Sequence, residues 1–191
     1  AGHAQAGLLT GALLVGAVAT LDRRPLLSGA LIGALIVKPH LALLLPFWLA
    51  AGGRWKAIIA AGASVVALLL ASWAVFGTET MLAYPSSRAA SAQIMASGDD
   101  AFHLRMATIY GQLRLVLPAT PALAINLAVA LAMLVLVWRS WRAFGQDSMA
   151  TGALVLAATA LASPYLFNYD LPFLVLPVLW LVQQGLARGF Y

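Results

Sequence analysis

Between Ala57 and Phe76 twenty residues pass without a charged side chain, and from Pro121 to Trp138 another eighteen do. A helix needs roughly 20 mainly apolar residues to cross the hydrocarbon of a bilayer. A chain with several such stretches has few alternatives to crossing it. Gln5–Leu21 and Leu171–Ala187 are further uncharged runs, and Met149–Ser163 is a shorter one. Only 9% of the 191 residues are charged and 63% are hydrophobic, whereas ordinary globular chains carry about 25% charged residues. So few charges cannot clothe a water-soluble fold, which excludes a soluble enzyme; a disordered chain would be poor in apolar residues. The eleven Lys and Arg are scattered singly or in pairs between apolar runs, a pattern that sets membrane orientation rather than binding nucleic acid. Cysteine is absent, which removes disulfides, thiolate metal sites and cysteine nucleophiles.

The chain enters apolar sequence directly after Ala1-Gly2-His3-Ala4-Gln5, and Asp22, Arg23 and Arg24 follow the first run. A secretory signal has the opposite order, so this run reads as a retained span, internal to a longer protein. Pro25–Ala51 is too long for one untilted span, and Lys38-Pro39-His40 interrupts it. Proline removes a backbone donor and disfavours helix at the residue before it. Either one kinked helix results, or two short helices, 25–37 and 40–51, turning at Lys38-Pro39. The turn puts Arg23, Arg24, Arg54, Lys56, Arg139, Arg142 and Arg188 on one side and Arg88, Arg105 and Arg114 on the other. A single helix would divide the basic residues evenly. The positive-inside bias therefore favours the hairpin, which also spares Lys38 the bilayer centre.

The expected fold is an all-α polytopic transmembrane bundle of about seven membrane segments, one domain over 1–191. Its N-terminus is external, its C-terminus cytoplasmic, and 77–120 forms an external connection. Within that connection Pro85–Asp100 is small and polar, as a mobile loop is. From Phe102 to Leu117, Met106, Ile109, Tyr110, Leu113 and Leu117 recur at helical spacing. That pattern fits a helix in the headgroup plane or a loop helix packed on the bundle.

This topology gathers His3, Gln5, Lys38, His40, His103, Arg105, Asn168, Tyr169 and Asp170 at the outer boundary. Polar groups at membrane depth need a partner or a ligand, and a cationic cluster with donors suits an anionic headgroup such as a phosphate. Each residue has a plainer reading beside this one. Lys38 can snorkel, His40 can pack at a helix start, and Arg105 and Arg114 can anchor to headgroups. Asp170 either caps a helix N-terminus or orients a basic partner or a sugar hydroxyl. The six tryptophans read as interfacial anchors. No phosphate-cradling glycine loop, metal-ligand spacing or nucleophile context is visible, so neither a metal nor another cofactor is expected.

The run from Asp22-Arg23-Arg24-Pro25 through Ser28-Gly29-Ala30-Leu31-Ile32-Gly33 is followed by Val37-Lys38-Pro39-His40, Leu43-Leu44-Leu45-Pro46 and Gly53-Arg54-Trp55-Lys56. Together with Ala162-Ser163-Pro164-Tyr165, Asn168-Tyr169-Asp170 and Gly2-His3-Ala4-Gln5, it resembles glycosyltransferase family 87. These are bacterial polytopic membrane proteins also grouped as a domain of unknown function. The likeness covers nearly the whole chain. It implies a GT-C fold with an active site on the external face of the inner membrane. It also implies transfer of a hexosyl, typically mannosyl, group from a polyprenyl-phosphate donor to a lipid or glycan acceptor.

Members of the family are about twice this length, and their general base is an acid in the first external loop; the resemblance places it upstream of Ala1. Asp99, Asp100, Asp170 and Glu79 are the external acids here, and none stands at that position. On this reading Lys38 and Arg105 meet the donor phosphate, His103 assists, and Asn168, Tyr169, Asp170, His40 and Gln5 shape the sugar or acceptor pocket. Two other classes stand beside it. A lipid flippase or transporter would also use broken helices and a lipid-edge cation, but would place polar residues on both faces. An inactive fragment would need a separate chain carrying the earlier helices.

Overall fold

The computed structural model describes residues 6–97 and 100–189; His3, Gln5 and Asp99 lie outside the described residues. The described chain is helical, its one β feature an isolated bridge between Met106 and Phe167. Helices α1 (Gly7–Thr20), α2 (Pro25–Gly33), α3 (Leu45–Ala51) and α4 (Trp55–Ser97) are followed by the short α5 (Asp100–Leu104) and α6 (Ile109–Leu113). Then come α7 (Ala119–Phe144), α8 (Ser148–Ala162) and α9 (Val175–Arg188). Trp55–Ser86, Ala119–Phe144 and Asn168–Arg188 are long and apolar enough to cross a membrane. Gly7–Thr20, Pro25–Val37, Pro39–Ala51 and Ser148–Ala162 are shorter apolar helical segments.

The expected hairpin is present, and glycine spacing explains its packing. Gly29 and Gly33 lie on one face of α2, where a Cβ at Gly29 would strike the Ala57 carbonyl and one at Gly33 would crowd Ala61 and Ser64. Small residues four apart let helix backbones approach closely, as helix pairs in lipid require. Rising residue numbers meet rising numbers, so α2 and α4 run parallel and α3 must return between them. Ser28 donates to the Ala17 carbonyl of α1 (2.7 Å) and Ser64 to the Ala30 carbonyl of α2 (3.0 Å), so buried hydroxyls are satisfied inside the bundle.

One end of the bundle is tied together by Arg54. Its guanidinium donates to Asp22 (2.8 Å) and to Ser148 (3.1 Å) and lies over the Trp141 ring (5.3 Å). The turns before α2, α4 and α8 and the end of α7 therefore meet there. Trp48 and Trp141 depart from the expected interfacial anchoring. Both are buried, stacked at 5.8 Å, and the Trp141 indole N–H donates to the Trp48 carbonyl (2.7 Å).

Two stretches of 77–120 also differ from expectation. Past Gly77, which breaks α4 at φ 78° and ψ 168°, the chain resumes a helix to Ser97 instead of a loop. The alanines, Gln93 and Met95 there are good helix formers, and this outweighs the polar look of the segment. Conversely, the helix expected over 102–117 is divided. Ala107 donates its N–H to the Leu166 carbonyl (2.8 Å), and Thr108 caps a new helix by accepting from the Gly111 N–H (2.8 Å).

Candidate functional site

At the end of the bundle opposite Arg54, two breaks in helix meet. The first is Lys38. Pro39 disfavours helix at the preceding residue, and Lys38 has φ −141° and ψ 71° between two 3₁₀ turns, Ala34–Val37 and Pro39–Ala42. The second begins where Pro164 stops α8, with Ser163 extended at φ −69° and ψ 126°. The chain bends through Pro164 and Tyr165, is extended at Phe167 and then enters the 3₁₀ turn Asn168–Leu174. Asp170 caps that turn, its Oδ2 accepting from the Phe167 N–H (3.3 Å).

The two breaks are joined by charge. Lys38 Nζ donates to Asp170 Oδ1 across 132 residues of sequence. Asp170 is only 1% exposed, whereas the Lys38 side chain keeps about 20% of its surface open. Lys38 Nζ also sits 5.0 Å from the Tyr169 ring centroid, a favourable place for a cation. His40, two residues further on, meets Tyr165 edge to face at 5.6 Å. Its Nε2 is buried with no hydrogen-bond partner among the described residues. Phe167 packs against Tyr165 (5.1 Å) and stacks on Tyr169 (5.3 Å), so an aromatic wall flanks the ion pair. Burial first and the Asp170 carboxylate second raise the Tyr165 phenol above its usual range, which keeps it a neutral hydrogen-bond donor. On the far side Gly7 of α1 has no room for a Cβ, because the Tyr169 carbonyl lies against it.

Of the residues anticipated from sequence, Lys38, His40, Tyr169 and Asp170 come together. Asp170 fills both roles weighed for it, as a cap and as the partner of a base. Asn168 is exposed beside them, and Gln5 lies outside the described residues. His103, expected to assist at the phosphate, is buried. It is 1% exposed, among the rings of Phe102 (5.6 Å) and Tyr110 (6.4 Å). Arg105 is exposed just after α5, which the Met106–Phe167 bridge holds against the same loop. Arg114 donates to the Leu117 carbonyl (2.7 Å). Tyr165 and Phe167 were not singled out in advance. Their signal is the aromatic run Tyr165, Phe167, Tyr169, whose rings the bend after Pro164 and the following 3₁₀ turn bring together.

Chemically, the pair is a cation held at a break, part open to solvent, against a buried carboxylate with both oxygens engaged. An ammonium has three donors, and one is spent on Asp170. Among the described residues no three His, Asp or Glu side chains gather to hold a metal ion. The family model for glycosyltransferase family 87 matches residues 1–164, which include Lys38 and His40 and stop six short of Asp170. Searches of curated proteins and of solved structures return no match. With a match over most of its length, the chain belongs to glycosyltransferase family 87.

Proposed function

We propose that this membrane glycosyltransferase transfers a hexosyl group, mannosyl in the first instance, from a polyprenyl-phosphate sugar to a lipid or glycan acceptor. The reaction takes place on the external face of the bacterial inner membrane. The observation that carries the reading is the Lys38–Asp170 pair, a partly open ammonium set at the tip of a broken membrane hairpin. A donor whose phosphate sits at the lipid boundary brings its anion to the level of such a tip.

In the reaction the acceptor oxygen bonds to the anomeric carbon as the bond from that carbon to the phosphate oxygen breaks. The electron pair leaves with the lipid phosphate. Lys38, joined by Arg105 with His103 behind it, stabilises that developing charge, which is how fixed cations lower such barriers. The acceptor proton goes to a carboxylate acting as general base. Asn168, Tyr169 and His40 form the sugar and acceptor side of the pocket, with the rings of Tyr165 and Phe167 behind them.

The test is turnover of labelled polyprenyl-phosphate mannose by membranes carrying the full-length protein. Lys38→Ala, measured on the folded fraction, is expected to lower kcat/KM by about 10²-fold or more, the order seen on removing one group that stabilises developing charge. Unchanged turnover refutes the phosphate role.

A further inference from the structure

Resting on the reading above, we propose that Asp170 is a positioning residue. It acts on the donor only through Lys38, whose ammonium it holds at the hairpin tip facing the phosphate. A lysine carries its charge on a flexible four-carbon stem, and at a membrane boundary that stem tends to reach for water. The tip's own bonds hold the Lys38 backbone, whose N–H donates to the Leu35 carbonyl (2.8 Å), and not its side chain. The restraint comes from the other break. Asp170 is fixed by two backbone bonds with Phe167, whose N–H it accepts (3.3 Å) and to whose carbonyl its own N–H donates (2.8 Å). The ring of Tyr169 lies against the same ammonium at 5.0 Å, and its backbone is seated on Gly7 of α1. Holding matters because a misplacement of about 1 Å can cost roughly 10²-fold in rate.

The same geometry argues against Asp170 as the acceptor's base. A general base must lie within hydrogen-bond reach of the proton it takes. Asp170 is 1% exposed, one oxygen faces Lys38, and the other faces the Phe167 N–H. Sealed at 1% exposure, the carboxylate is out of reach of an incoming hydroxyl.

Two measurements on the full-length protein test this. The first is a double-mutant cycle of Lys38→Met and Asp170→Asn with labelled polyprenyl-phosphate mannose. Asp170→Asn keeps an oxygen for the cap and loses the charge. It is expected to lower kcat/KM for the donor about tenfold, a coupling typical of groups in direct contact, while the acid limb of the pH profile of kcat persists. The double variant should be no worse than Lys38→Met alone. Additive losses, or a kcat lowered about 10²–10⁴-fold with the acid limb gone, would overturn the proposal in favour of a base.

The second measurement needs no turnover. Lys38 and Lys56 are the only lysines in the chain, so acylation by an amine-reactive ester, read by mass spectrometry, has an internal standard. Asp170→Asn should speed labelling at Lys38 several-fold and leave Lys56 unchanged; equal rates at Lys38 mean that Asp170 does not hold it. Wild-type protein that transfers from no lipid-phosphate sugar refutes the donor assignment and the substrate half of this proposal. The labelling ratio decides the holding of Lys38 independently.

Discussion

At the scale of single residues, the two partners of the ion pair are not equivalent, because one is sealed and the other is not. Removing Lys38 strands a carboxylate whose side chain is 2% exposed, whereas removing Asp170 leaves an ammonium with 20% of its surface already open. Stranding one charge of a buried pair costs about 3–5 kcal/mol, while removing both can be nearly neutral. Lys38→Ala is therefore expected to lower the melting temperature in detergent more than Asp170→Ala, and Lys38→Ala/Asp170→Ala to recover part of that loss. The reverse order would mean that the carboxylate reaches water. His103 illustrates what residue type alone conceals. A histidine near the outer boundary suggests a ligand for an anion, yet its ring is packed with Phe102 and Tyr110. Phe102 precedes it in α5 and Tyr110 comes from α6, so its surroundings follow from how these two short helices pack.

At the scale of helices, legibility follows the range of the forces. The hairpin could be read from the sequence because its causes are local: a proline after Lys38 and the sign of charge on neighbouring turns. At Gly77 glycine accepts the positive φ that kinks α4, and the apolar stretch continues past it to Ser86. The division of 102–117 was not legible. Its apolar spacing is continuous, and the interruption comes from the Leu166 carbonyl, far along the chain. The α2–α4 contact gives the sharpest test at this scale. A methyl at Gly29 would collide with the Ala57 backbone and the Ala60 side chain, whereas Gly62 on α4 has open space for one. Gly29→Ala should cost about 1–3 kcal/mol, as overpacking does. Gly62→Ala should be neutral, or stabilising by up to about 1 kcal/mol from helix propensity. Thermal unfolding of the two variants side by side checks the packing, and equal behaviour would remove the close approach of the glycine face.

At the scale of the whole molecule, each end of the hairpin is pinned by one cation. Arg54 gathers turns at one end through Asp22, Ser148 and Trp141, and Lys38 joins Asp170 at the other. The two pins lie at opposite ends of parallel α2 and α4, so the molecule has two chemically different faces. The Arg54 face carries the exposed Arg23, Arg24, Lys56, Arg139, Arg142 and Arg188, a basic excess of the kind on which the positive-inside rule acts. The Lys38 face carries the aromatic wall. If the proposed external site is correct, Val37 and Asn168, both exposed beside Lys38 and Asp170, open to the same compartment. Lys56 and Gln146, exposed at the Arg54 end, open to the other. The chain has no native cysteine, so single substitutions at these four positions report cleanly. An impermeant maleimide added to intact cells should label Val37→Cys and Asn168→Cys at once. It should reach Lys56→Cys and Gln146→Cys only after the membrane is opened. Labelling of 37 and 168 from opposite sides would separate the two breaks and leave Lys38 without its carboxylate. Labelling of all four positions in the inverted sense would keep the ion pair but move its chemistry to the cytoplasmic face, where a cytoplasmic sugar donor would replace the lipid-linked one.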